Sequence, residues 1–194
     1  MFSTALVSLG FIQSKANYSL FTRLQGSSYI ALLIYVDNVA IASNDFKAIF
    51  EFITLLNAKF QLKDLGQLKY FLGFEIARST KGISIFQRKY ALEVLEDSSL
   101  LASKLVLFPI EQNLKLFKDD GDLLDDSTSY MRLVGRLLYL IITRLDITYS
   151  VQVLSQFMDK PRQPHLDVTT RVLRYIKNSP LLKGLCFLHS LILV

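Results

Sequence analysis

Cysteine occurs once, at Cys186, so no disulfide can form within the chain and a reducing compartment is compatible. A lone cysteine near the C-terminus reads as a small hydrophobe, not as a nucleophile. Histidine occurs twice, at His165 and His189, neither with a second ligand at metal spacing, which excludes a zinc site. The 8 glycines form no phosphate-binding loop, and with the 4 prolines they punctuate the chain too sparsely to mark a repeat. No apolar run reaches the roughly 20 residues of a membrane span. The best, Tyr29 to Ala42, contains Asp37 and Asn38, and the tail from Leu185 to Val194 is shorter and contains His189. The start, Met1 to Gly10, lacks the basic residues and long apolar core of a signal peptide and the Arg content of a transit peptide. No segment therefore marks a compartment.

The chain has instead an unusual amount of apolar surface. Of its 194 residues 51% are hydrophobic and 20% charged, and the mean hydropathy is +0.33. That is enough to offset chain entropy, so intrinsic disorder is excluded. Lys and Arg number 22 against 17 Asp and Glu, a net charge of +5. The surplus suits a polyanionic partner without requiring one.

Leu20 to Gln25 reads as a strand ended by Gly26-Ser27-Ser28, and Tyr29 to Ser43 as two strands around a tight turn at Asp37-Asn38. Asx residues tolerate the positive φ such a turn demands. Asn44 and Asp45 are N-cap candidates for a helix over 46–59, with Phe46, Ile49, Phe50 and Ile53 as its apolar stripe. After a turn at Asp64-Leu65-Gly66, residues 69–77 alternate as one strand, and Lys81-Gly82 closes a hairpin onto 83–86. A helix is expected over 87–101 on Tyr90, Val94 and Leu95, then extended chain over 103–116. Asp119 to Asp126 reads as a solvated acidic linker; its Gly121 comes too early for a Ca²⁺ loop and no Glu closes it. Three helices follow, over 129–143, from an Asp146 N-cap to about 160, and over 165–178, with His165 as a helix-start residue. Gly184 then precedes a strand-like tail.

Two features have chemical potential. Asp37 at a hairpin tip exposes a carboxylate to a Mg²⁺ ion, which prefers hard oxygens; plain turn chemistry explains the same residues. Arg171, Arg174 and Lys177 share one helix face at i, i+3, i+6. Such a stripe can track a nucleic-acid backbone, or it can be the solvated side of a packed helix.

Together the segments resemble one family. Tyr35-Val36-Asp37-Asn38 resembles the Tyr-Val-Asp-Asp box of copia-type retrotransposon reverse transcriptases. Gly10-Phe11-Ile12-Gln13-Ser14 and Ser19-Leu20-Phe21 resemble the strand ahead of it. Phe60 to Gly66, Tyr70 to Ile76 and Gln87 to Ala91 follow in family order, as do Leu133 to Leu140, Thr143 to Ile147, Leu154 to Met158 and Arg171 to Lys177. The resemblance spans about residues 6 to 188.

It implies an α+β fold: a partial right-hand polymerase palm over 1–118, with antiparallel sheet and packed helices, the acidic linker over 119–128, and a mostly helical thumb or connection region over 129–194. In the family three palm carboxylates hold two Mg²⁺ ions. Here Asp37 matches one such ligand and Asn38 replaces another, so Mg²⁺ binding is expected to be impaired and the chain inactive alone. No counterpart of the first palm carboxylate is found upstream. Leu145 replaces a usual Pro, Asn178 a usual Gly and Asn17 a usual Asp. Tyr70, Gly73 and Glu75 resemble the primer-grip region. With Arg171, Arg174 and Lys177 they are implied to contact an RNA–DNA hybrid or DNA. A non-catalytic nucleic-acid-binding module and a relic without selected function are the alternatives. Palm surface left uncovered is expected to favour self-association.

Overall fold

The computed structural model describes residues 2–60, 62–98, 104–178, 184–188 and 192–193. Alternation of apolar and smaller residues sets the first sheet. β1 (Ile12–Gln13), β2 (Leu20–Gln25), β3 (Ser28–Tyr35) and β4 (Asn38–Ser43) pair antiparallel in chain order. The register Ile30↔Ser43, Leu32↔Ile41 and Ile34↔Val39 puts every second residue on one face. That face packs on α2 (Phe46–Phe60), and α1 (Phe2–Ser8) adds Leu6. Phe11, Phe21, Ile30, Leu32 and Ile41 form the core with Ile49, Phe52 and Leu56 of the helix.

Asp45 caps α2, its carboxylate accepting from Lys47 and Ala48 N–H at 2.9 and 3.3 Å. Asn44 instead clamps the β2–β3 turn, accepting from Tyr29 N–H and donating to the Ser27 carbonyl, both at 2.8 Å. The packed stripe keeps Ile49 and Ile53 of the expected one but not Phe46 or Phe50. Phe46 and Phe50 are 71% and 73% exposed, whereas Phe52 is 3% exposed. α2 carries apolar residues on most sides, so several stripes satisfy helical spacing and the sheet selects among them.

The expected single strand over 69–77 is two pieces. β5 (Tyr70–Phe71) leads into a turn at Leu72-Gly73, with φ of 50° and 78°, and then β6 (Phe74–Ser79). Two consecutive positive φ values are the signature of a tight hairpin turn. β7 (Gly82–Phe86) follows, and a second sheet has the order β5-β6-β7-β8, with β8 at Leu185–Leu188; β9 (Ile192–Leu193) borders β4. α3 (Arg88–Asp97) is shorter than expected at its described end, and residues 99–101 of the expected helix lie outside the described residues, as do Gln61, Ser103, Lys183 and His189.

The rest is helical. α4 (Ser127–Leu140) starts at Asp126, which accepts from Thr128 and Ser129 N–H. Hydrogen bonds from Ser129 hold the Asp126 carboxyl below its ordinary range. A 3-10 turn (Leu145–Ile147), α5 (Thr148–Ser155) and α6 (Gln163–Asn178) complete it. Val94, Leu95, Tyr130, Leu137, Leu154, Val172 and Ile176 are buried in one core with α3. Burial pushes the Tyr130 hydroxyl up to about 12, so it stays a neutral donor to the Leu154 carbonyl at 2.8 Å.

Asp146 is not the N-cap of α5; that position is Ile147, which makes no side-chain cap. Its carboxylate is taken by Arg144 and by the Tyr175 hydroxyl. Nor is 119–128 a free linker. Arg162 Nε and Nη1 donate to the carbonyls of Lys118 and Gly121 at 2.8 and 2.6 Å, and Nη2 reaches Asp119 at 3.4 Å. Gly121 sits at φ +80°, where a Cβ would fall 2.6 Å from the Pro164 ring. The chain divides into two compact units elsewhere: residues 1–71, 78–83 and 187–194, and residues 72–77 and 84–186. α3 shares its core with α4 and α6, which places it with the helices that follow.

His165 is a buried pin as well as a helix-start residue. Nδ1 accepts from Arg162 N–H at 3.0 Å, Nε2 meets the Phe117 carbonyl at 3.1 Å, and the ring stacks on Phe157 at 4.0 Å. Burial lowers its pKa from 6.5. The unfolded chain therefore binds more protons in this range, so the stability contribution is full above about pH 6.5 and fades as pH falls below it. The urea midpoint is expected to drop on acidification through that window, and His165→Gln to flatten the drop. An unchanged acid limb in the variant would contradict this assignment.

Candidate functional site

The box folds as a β-hairpin because both flanking strands are apolar and β-branched. Tyr35 pairs with Asn38, so the two turn residues are Val36 and Asp37. Val36, not an Asx residue, takes the positive φ, at 50°. A β-branched residue there is strained, and the surrounding ladder from Ile30 to Ser43 holds it. Its side chain is 80% exposed, and Asp37 and Asn38 are exposed beside it.

Asp37 and Asn38 border a cleft of about 530 Å³ with Tyr70. Val39 and Ile41 of β4, Ile53 and Leu56 of α2, and residues 62–71 make its walls. The loop turns at Gly66, φ +73°, whose N–H donates to the Asp64 carboxylate at 2.7 Å. Asp64, Lys63 and Lys69 therefore join the cleft, none of them picked out from the sequence as site residues. The Asp64-Leu65-Gly66 turn signal was the available clue.

Of the three metal carboxylates that the family resemblance implies, only Asp37 was expected in this chain. Asp37 offers one carboxylate and Asn38 a neutral amide oxygen, a poorer Mg²⁺ ligand. Among the described residues no group of three or more His, Cys, Asp or Glu side chains is placed to hold a metal ion. The donor set among the described residues does not fit a two-metal site.

The other expected residues lie in the second unit. Gly73 completes the Leu72-Gly73 turn, and a Cβ there would meet the Tyr139 ring at 3.5 Å. The Tyr139 hydroxyl donates to the Leu72 carbonyl, while its ring contacts Phe74 and Tyr90 at 5.6 and 5.1 Å. Glu75 accepts from Lys89 N–H at 2.8 Å and so caps α3, whose N-cap residue Gln87 makes no side-chain cap. On α6, Arg171 donates from Nη1 to Glu111 at 2.9 Å. Arg171 and Arg174 line a second cleft with Glu111 and Asp167, and Lys177 continues their face. Neither Tyr139 nor Glu111 was marked as a site residue by the sequence, because they act through partners 67 and 60 residues away.

A family described as reverse transcriptase (RNA-dependent DNA polymerase) matches residues 1–112. The chain is 38% identical over 175 residues to the retrovirus-related Pol polyprotein from transposon RE1 of Arabidopsis thaliana, covering 90% of this chain and 12% of that polyprotein. The corresponding RE2 polyprotein is 38% identical over 177 residues, at 91% and 12%. An uncharacterized mitochondrial protein of the same plant is 34% identical over 148 residues, covering 76% of this chain and 61% of that protein. The chain thus spans about an eighth of the two polyproteins. No solved structure matches it significantly. Among the described residues no helix is long and apolar enough to cross a membrane.

Proposed function

The chain belongs to the reverse transcriptase (RNA-dependent DNA polymerase) family, and on that premise we propose that it is the stretch of a copia-type retrotransposon Pol protein from the catalytic-box hairpin into a thumb-like helical region, unable to polymerise by itself. The observation carrying this is the hairpin: a tip displayed as the family chemistry needs, with one carboxylate and one amide at its ligand positions. In the family the metals activate the primer hydroxyl and clamp the incoming triphosphate. With Asn38 in place, that clamp loses a charge it needs, so no catalytic step is assigned to this chain.

The retained capacity in this reading is nucleic-acid binding, to an RNA–DNA hybrid or DNA. The net charge of +5 and the Arg171, Arg174, Lys177 face support it. Tyr70, half-exposed at the first cleft, and the rigid turn at Gly73 are the corresponding groups of the hairpin region, with Glu75 supporting them. Self-association through Phe46 and Phe50 belongs to the same reading, as both rings lie open on α2.

Primer extension on an RNA template tests the first part. With Mg²⁺ or Mn²⁺ the purified chain is expected to add no nucleotide beyond an Asp37→Ala control; extension above that control overturns the inactivity. Retention of an RNA–DNA hybrid that weakens with salt supports the second part, and no retention at low salt removes it.

A further inference from the structure

The basic face of α6 is not open. Residues 106–116 run over it, and between them lies a cleft of about 330 Å³ that Arg171 and Arg174 share with Glu111, Leu114 and Val168. A guanidinium presents five N–H donors in a rigid fork. Arg171 spends Nη1 on Glu111, yet its Nε is buried without an acceptor, and so is the Nε of Arg174. Buried donors without partners are uncommon and costly, and the two guanidinium groups that carry them line one cleft, which leaves it short of acceptors for its cations. Asp167 lines the cleft as well, but its carboxylate accepts from Gln163 Nε2 at 2.8 Å on its own helix.

We propose that this cleft is a phosphate site for a nucleic-acid strand and that Glu111 is its built-in competitor, a carboxylate standing where a phosphate oxygen would bind. The proposal rests on the nucleic-acid reading above. The Glu111 carboxylate takes a single hydrogen bond, from Arg171 Nη1. A phosphodiester between successive sugars supplies oxygens in a tetrahedral array and can accept from the guanidinium groups of both arginines that line the cleft. Lys177 extends the face at the same helical spacing, which favours a strand with successive charges over a single small anion. Glu111 is suited to release. Its side chain is 61% exposed, and it lies in irregular chain outside any helix or strand. Exposed ion pairs are weak, so a polyanion can displace it without unfolding an element.

Fluorescence anisotropy with a labelled RNA–DNA hybrid tests this on the full chain, using Glu111→Gln, Glu111→Ala and Glu111→Gln combined with Arg171→Ala. Both single variants are expected to bind more tightly than the parent. Freeing one phosphate contact steepens the salt dependence, so between 50 and 200 mM salt each should lose about 3.5-fold more affinity than the parent does. The Arg171→Ala combination should abolish both gains. Circular dichroism establishes that the variants are folded. If the parent binds and both single variants match it in affinity and salt slope, the competitor role is overturned while the nucleic-acid reading stands. If neither parent nor folded variants bind at low salt, both fall.

Discussion

Asp146→Ala is expected to lower the stability of the helical unit by about 3–5 kcal/mol, because it removes the carboxylate that accepts two hydrogen bonds from a buried guanidinium. The Arg144 side chain is 2% exposed and that of Asp146 21%. Arg144 Nε and Nη2 each donate to an Asp146 oxygen at 2.9 Å, and the Tyr175 hydroxyl adds a third bond at 2.8 Å. The guanidinium also lies 5.9 Å from the Tyr175 ring centre. Such a network contributes little net stability when whole, since desolvation offsets attraction, but removing one charge takes away the counter-charge while the desolvation of the other remains. Replacing both, as Arg144→Met with Asp146→Leu, should therefore cost less than Asp146→Ala alone. Urea denaturation followed by circular dichroism reads the difference. A single variant within about 1 kcal/mol of the parent would show the pair is effectively solvated.

Phe52→Ala is expected to cost the first unit about 3–5 kcal/mol, the range for emptying a packed aromatic site. Phe52 lies 4.9 Å from the Phe11 ring, and Arg23 stands 5.5 Å from its centroid. Phe46→Ala and Phe50→Ala on the same helix should each stay within about 0.5 kcal/mol. The double variant should also reduce concentration-dependent association, as seen by light scattering, if those rings are the self-association face. Hydrogen exchange along β2 to α2 distinguishes the positions. Equal exchange in the Phe52→Ala and Phe50→Ala variants would mean the packed face is wrongly assigned.

Much of the local structure was legible. The strands at 20–25 and within 29–43, the helix after Asp45 and the helical C-terminal half are contiguous patterns, and contiguous patterns carry their own period. What failed was choice among equivalent patterns. Residues 69–77 alternate as a strand should, yet Leu72 and Gly73 turn the chain, and the Tyr139 hydroxyl on the Leu72 carbonyl fixes that turn from the other side of the sequence. Asp146 has the form of an N-cap, but a buried Arg144 outcompetes the helix N–H groups for its oxygens. The acidic segment has linker composition, and the fork of Arg162 ties it down.

By itself, then, the sequence determined the family and the residues of its catalytic-type box. The ordered motifs from Gly10 to Lys177 and the Asn at 38 are facts of residue identity that no folding can alter. Tertiary structure alone decided which residues have work beyond their identity. It turned Val36 into the strained corner of the hairpin, Glu75 into a helix cap, Phe52 into core and Phe50 into surface, and it set Glu111 against Arg171. Each of these depends on a partner distant in the chain or on a register chosen across a sheet, and neither leaves a periodic trace in the sequence.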